Sequence, residues 1–208
     1  MKITLFGASG MIGSRILAEL VARGHAVTAV ARHPENITRA DAKAEAGDLL
    51  NAHDVARVAT GADAVVSAYA PGFDAPARLL DAARTLTGIL PTVNVSRLLW
   101  VSGAGSLEVA PGVQLADAPD FPAAWKPTAL AHRDALQILA ASKLQWTALS
   151  PAALISPGHR TGKFRLGLDQ LITDEKGQSS ISAEDYAVAV VDELETPRHI
   201  RQRFTLGY

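Results

Sequence analysis

The run Lys2-Ile-Thr-Leu-Phe6, followed at once by Gly7-Ala-Ser-Gly10-Met-Ile-Gly13, constrains this chain more than any other feature. A short apolar segment meets glycines at every third position, and a helical pattern follows. That is the strand–turn–helix order in which a backbone receives a pyrophosphate. Gly7 and Gly10 let the backbone approach phosphate closely, and Gly13 lets the helix pack on the strand. The free N–H groups and positive end of the helix then face the ligand. Gly7, Ala8, Ser9, Gly10, Met11, Ile12 and Gly13 are therefore the expected cofactor contacts. The competing reading is a βαβ unit whose glycines serve packing alone. In the helix, Ile12, Ile16, Leu17, Leu20 and Val21 recur at helical spacing as one apolar stripe. Gly24 suits the residue after its C-cap, and Ala26–Val30 reads as the second strand.

NAD-selective turns place Asp or Glu at the end of that second strand, to hold the ribose hydroxyls. This chain reads Val30-Ala31-Arg32-His33-Pro34. A guanidinium at Arg32 pairs with a 2′-phosphate that a carboxylate would repel. NADP(H) is thus favoured over NAD(H), with Arg15 and Lys43 expected to add to the same positive corner. A solvated surface arginine is the alternative.

Net charge is −1 over 208 residues, so nothing points to a nucleic-acid surface. The absence of cysteine removes disulfides, thiolate metal sites and cysteine catalysis. The histidines show no metal-ligand spacing, and no metal site is expected. No apolar run reaches the roughly 20 residues of a membrane span. The first residues read as a core strand rather than a signal peptide, so a cytoplasmic location is expected. Residues 1–208 are expected to form one NAD(P)-binding domain, monomeric or homodimeric.

Strand and helix patterns alternate along the chain, which predicts an α/β fold: a Rossmann-type doubly wound parallel sheet flanked by helices, with a small C-terminal substrate-side region. Further strands are expected near Ala42–Ala46, Ala64–Ala68, Arg97–Val101 and Gln145–Leu149, with a last one from Arg203. Helices are expected from about Asn51 to Ala59 and from Ala75 to Gly88, and another with Leu130, Leu136, Leu139 and Ala140 on its apolar side. Residues 102–128 and 151–181 read as long acceptor-side loops. Ser182 and Asp185 resemble a capping box opening the last helix.

Together these residues resemble the short-chain dehydrogenase/reductase superfamily in its atypical branch. The glycine turn carries the resemblance, with Gly47-Asp48, Val101-Ser102, Trp146-Thr147…Pro151 and Ile181-Ser182…Asp185-Tyr186-Ala187. Within the branch the chain is most similar to NADH-flavin reductases related to biliverdin reductase B and to NmrA-like proteins. Trp100–Glu108, Ala131–Leu136 and Arg160–Arg165 carry that closer match. The resemblance implies that Asp48 and Leu49 lie at the adenine, Ser67, Ala68 and Tyr69 along the cofactor, and Pro151 over the nicotinamide. Ser102 falls where the superfamily has its active-site serine.

One departure bears on the chemistry. Standard members use Tyr-x-x-x-Lys as the proton relay. Here Tyr69, Tyr186 and Tyr208 have no lysine four residues on, and the expected position reads Ala124-Trp-Lys-Pro-Thr-Ala-Leu130. Ketone reduction, sugar epimerisation and dehydration need a positioned acid/base. Hydride transfer to a flat, electron-poor acceptor such as FMN, FAD or a quinone needs one less. The function expected is therefore NAD(P)H-dependent reduction of a flavin-like small molecule. The alternatives are a non-catalytic NmrA-like sensor and, behind it, a sugar-nucleotide epimerase or dehydratase. Ser102 and His132 are the candidate catalytic groups, His132 because histidine titrates near neutrality. Ser106 is a weaker companion, Phe121 and Trp125 are candidate stacking faces, and His159, Arg160 and Lys163 are candidates to meet a flavin phosphate.

Overall fold

Apolar runs without polar alternation are buried only when both faces of a sheet are covered. The computed structural model describes residues 1–208. The first half alternates strictly: β1 (Lys2–Phe6), α1 (Met11–Ala22), β2 (Ala26–Ala31), β3 (Lys43–Ala46), α2 (Ala52–Ala59), β4 (Ala64–Ser67), α3 (Arg78–Ile89) and β5 (Arg97–Val101). A small hairpin, β6 (Glu108–Ala110) and β7 (Val113–Gln114), precedes α4 (Lys126–Ala141) and β8 (Gln145–Ser150). Then come β9 (Leu154–Ser156), β10 (Arg165–Gly167), β11 (Ser180–Ser182), α5 (Ala183–Glu195) and β12 (Gln202–Gly207).

The central sheet runs β10-β12-β8-β5-β4-β1-β2-β3. All its pairings are parallel except β10 with β12. Strand order reverses at β1, which lies between β2 and β4, and this is the Rossmann-type arrangement expected. Helices α1 and α5 pack on one face over Leu5, Ile16, Leu20 and Val190. Helices α2, α3 and α4 cover the other over Phe6, Leu79, Leu86 and Trp100. Ligands of such sheets bind beyond the carboxyl ends of the strands, at the reversal.

Three expectations are corrected. The third helix begins at Arg78, three residues later than its pattern suggested, after a turn closed by Arg78 N–H to Ala75 carbonyl. On α4 the buried side is Ala129, Ala131, Ala135 and Leu139, while Ala140 is exposed. Small alanines there let α4 sit close to its neighbours. Ser182 caps α5 by accepting from the Asp185 N–H at 3.0 Å, but Asp185 does not return the bond. Its carboxylate instead accepts from the N–H groups of Thr161 and Gly162, both at 2.8 Å.

Beneath the opposite, amino end of the sheet lies a buried ion pair. Arg97 and Glu193 are 3.3 Å apart, with side chains 8% and 3% exposed. Burial pulls the Arg97 guanidinium below its usual range, and the Glu193 charge offsets only part of this. Glu193 also accepts from the backbone N–H groups of Arg198 and His199. Glu193→Ala strands the guanidinium without its counter-charge. The expected loss is about 3–5 kcal/mol of stability, read from urea denaturation.

Candidate cofactor and acceptor site

Two cavities divide the carboxyl edge of the sheet. The first, of about 170 Å³, lies over β1, β2, β3 and β4. Gly7, Ser9 and Gly10 line it from the turn, Arg32 from the end of β2, Asp48 and Leu49 from after β3, and Ala68 and Tyr69 from after β4. Eight of the residues expected to meet the cofactor thus converge from the ends of four strands, while Ala8, Met11, Ile12, Gly13, Ser67, Ser102 and Pro151 do not line this cavity.

The turn separates two roles for its glycines. Gly7 has φ +77°, and a Cβ there would lie 2.5 Å from the Ala68 carbonyl oxygen. A Cβ on Gly13 would lie 2.0 Å from the Gly7 carbonyl oxygen. The chain's own packing therefore demands both glycines. Gly10 differs, with φ −75° and ψ 170°, a conformation open to any residue. A Cβ there would touch only the Gly7 carbonyl, at 3.3 Å, and is otherwise free. That contact is tighter than ordinary van der Waals distance, so packing constrains Gly10 as well, though far less than Gly7 or Gly13. No side chain caps α1, so its first-turn N–H groups keep the unpaired donors that a helix N-terminus offers an anion. Met11 is exposed at this turn, while Ala8 is buried and Ile12 packs on the core.

The surrounding charge sorts the basic candidates. Arg32 is exposed and forms no ion pair or hydrogen bond, which leaves its guanidinium free at the rim. Arg15 is committed to Glu184 at 3.0 Å. Lys43 pairs with Glu45 at 2.6 Å and stands opposite Thr28, near the amino end of β2. Neither therefore joins a positive corner with Arg32. Sequence reasoning missed Arg78, which opens α3 and acts with Arg32 to lower the Tyr69 phenol that burial raises.

The second cavity, of about 310 Å³, lies over β5 and β8. Gly103, Thr128 and His132 are among its walls, and Phe73, Trp125 and Leu154 stand exposed around it. Phe121 lines it as well. Phe121 and Trp125, the residues expected to stack, thus both border this cavity, while Phe73, Thr128 and Leu154 carried no sequence signal, because loops and burial bring them there.

At the carboxyl ends of the strands, buried hydroxyls stand without partners, although Ser67, Ser102 and Ser150 line neither cavity. Ser67 ends β4, Ser150 ends β8, and Ser102 follows β5 one residue beyond the Val101–Leu149 pair. None of the three side-chain oxygens has a hydrogen-bond partner, nor does the hydroxyl of Thr128. An unsatisfied buried hydroxyl costs about 1–3 kcal/mol, and such groups gathered at a strand edge fit a site built for a polar ligand. Pro151, which follows Ser150, is buried. The residues present fit a dinucleotide: a glycine turn and an uncapped helix end beside the first cavity, with an unpaired guanidinium at its rim.

His132 behaves otherwise than expected. Its ring packs on Gly103, where a Cβ would lie 3.0 Å from it, and its Nδ1 is buried without a partner. Burial lowers its pKa to about 4. It is neutral near pH 7 and supplies no imidazolium proton. Tyr186, fully buried, donates to the Leu149 carbonyl at 2.6 Å and is held far above the usual phenol range by burial. That carbonyl also accepts the Ser102 N–H at 2.9 Å, so Tyr186 braces the strand ends. Ser106 is occupied by Arg203, which donates to its hydroxyl at 2.8 Å. Arg160 makes two 2.8 Å bonds to Glu19 and His159 is held through its carbonyl by Ser182. Neither residue borders the acceptor cavity, and nor does Lys163.

A family model described as NAD(P)H-binding matches residues 7–197. Three solved structures are similar over the full length of this chain. A Burkholderia pseudomallei protein, provisionally named an exported protein, is 51% identical with all of its own chain covered and a TM-score of 0.92. A Bacteroides thetaiotaomicron protein, provisionally named an epimerase, is 43% identical with 96% covered and a TM-score of 0.93. A Streptococcus pneumoniae protein, provisionally named an NADH-flavin reductase, is 36% identical with 99% covered and a TM-score of 0.85.

The glycines can be separated experimentally. Gly10→Ala is expected to cost at most about 1 kcal/mol of stability while weakening NADPH binding at least tenfold, a loss of about 1.4 kcal/mol. Gly13→Ala is expected to fail in the thermal melt itself. His132 gives a pH signature. Its folded pKa lies below the unfolded value, so the unfolded chain binds the extra proton between pH 6.5 and about 4. Stability falls with acid across that window, by up to about 3 kcal/mol from this residue. His132→Gln should flatten that part of the urea-midpoint profile.

Proposed function

The chain belongs to the NAD(P)H-binding family, and on that premise we propose that it is an oxidoreductase that prefers NADPH and reduces a flat, electron-poor acceptor of flavin or quinone type. Residues 1–208 serve in this reading as one cofactor-binding domain. The observation that carries it is the pair of cavities on one sheet edge, the second lined by aromatic faces and a neutral histidine.

The roles follow from the residues. Gly10 and the first turn of α1 receive the pyrophosphate. Arg32 pairs with the 2′-phosphate, and Asp48 and Leu49 border the adenine end. Ser67, Ala68, Tyr69 and Pro151 flank the cofactor toward β8. Ser102 and His132 hydrogen-bond and orient the polar edge of the acceptor, while Trp125 and Phe121 stack on its face. The nicotinamide, when bound, supplies the hydride. Epimerisation and dehydration need a group that exchanges protons near neutral pH. His132 is held neutral, and Tyr186 is buried and occupied. The flavin-reductase name of the S. pneumoniae relative agrees with the proposal, and the epimerase name of the B. thetaiotaomicron relative does not.

The test is NADPH oxidation with riboflavin, FMN and a short-chain quinone, against NADH and against protein-free controls. Saturable turnover, faster with NADPH, is expected. Arg32→Glu should weaken NADPH by about tenfold or more and leave NADH nearly unchanged; equal losses would remove Arg32 from the 2′-phosphate. Tight NADPH binding without turnover of any acceptor would favour the sensor.

A further inference from the structure

The distribution of charge around the second cavity points to its ligand. We propose that the cavity over β5 and β8 takes an uncharged planar ring, a quinone or a flavin lacking its phosphate, and selects against phosphate-bearing acceptors such as FMN. The proposal deepens the reductase reading, yet concerns binding and stands on its own observations.

No lysine or arginine lines this cavity. Its one acidic wall residue, Asp120, is exposed and has no ion-pair partner. A phosphate brought to this mouth meets a carboxylate where flavin phosphates usually meet a guanidinium. The nearby guanidinium groups are committed. Arg160 is held by Glu19, and the loop after it is fastened to Asp185 through the Thr161 and Gly162 N–H groups. Arg133, on α4, is spent on Gln114 and Asp117. Lys126 is exposed beside Trp125 and does not border the cavity.

The rim is apolar where a soluble protein usually is not. Phe73 is 71% exposed, Leu154 60% and Trp125 48%, and all three border the same opening. Apolar side chains grouped around a concave mouth mark a site that buries a ligand's faces. Inside, the polar groups are hydroxyl and neutral imidazole, Thr128 and His132, which hydrogen-bond to ring carbonyls and nitrogens without adding charge. The cavity therefore favours a flat ring with a polar edge and no net charge.

Riboflavin and FMN share one ring and differ by the phosphate, so their comparison isolates the inference. Flavin fluorescence quenching measures each affinity at equilibrium, with the protein saturated by NADP⁺ and no turnover. Riboflavin is expected to bind at least about fivefold more tightly at low ionic strength, the gap narrowing as salt screens the exposed carboxylate. Asp120→Lys should reverse the order. Trp125→Ala should weaken both flavins by a similar factor, up to about tenfold. Equal affinities, tighter FMN, or no binding of riboflavin overturns the proposal. Riboflavin binding in the expected order without NADPH oxidation leaves it standing and removes the reductase reading instead.

Discussion

The site depends on backbone touching backbone at Gly13 and Gly7. The opening of α1 lies so close to the end of β1 that a Cβ on Gly13 would sit 2.0 Å from the Gly7 carbonyl oxygen. Gly7 in turn lies against the Ala68 carbonyl at the end of β4, and its N–H donates to Val30 of β2 at 3.1 Å. One turn thus joins three strands and a helix at the place where strand order reverses. The uncapped start of α1 is aimed by this contact, without any side chain to hold it. Gly10 is the remaining glycine of the triplet, and its bare backbone faces outward. The fold fixes the cradle through Gly7 and Gly13 and leaves Gly10 the least constrained of the three.

A second constraint is how the chain spends its cations. Glu19, on α1, is held below the usual carboxylate range, first by Arg160 and, against the effect of burial, by Arg23 as well. Arg23 reaches on to Asp192 and Glu195 of α5, and Arg15 reaches Glu184. Asp185 is pushed up by burial but drawn below its usual range by bonds from Thr161, Gly162 and Tyr208. These contacts clamp α1, α5 and the 159–163 loop together. A guanidinium so engaged must give up its partner before it can hold a phosphate. Arg32 has no such partner, so of these arginines its guanidinium alone stands free at the rim of the first cavity.

What sequence reasoning could read follows from range. Buried parallel strands announce themselves by apolar runs, and Arg97–Val101 is found with the expected bounds. The Ser182 cap is local, and half of it holds. The partner of Asp185 lies 24 positions away at Thr161, and the partner of Arg160 lies 141 positions away at Glu19. No spacing rule reaches that far. Lys43 shows a different failure. It is close to Arg32 in sequence, but β3 runs parallel to β2, so its first residue stands toward the other end of the sheet. The titration of His132 depends on how deeply its ring lies against Gly103, a packing fact that a histidine in a helical pattern does not reveal.

Thr128 and His132 bring these points together. They stand four residues apart near the start of α4 and border the same cavity, at the helix where the superfamily relay would place tyrosine and lysine. A lysine there supplies a positive charge that lowers the pKa of a neighbouring hydroxyl. Here the polar side chains that α4 brings to the cavity are a hydroxyl and an imidazole kept neutral by burial. Such a pair can orient a carbonyl or ring nitrogen but cannot deliver a proton from a charged donor at neutral pH. An isolated ketone, whose alkoxide needs protonation as it forms, is poorly served by it. A ring that spreads the incoming charge over several atoms needs only orientation. The same absence of positive charge that argues against ketone chemistry also leaves no lysine or arginine in the cavity wall for a phosphate, so the proposed acceptor type and acceptor charge rest on one feature of the cavity.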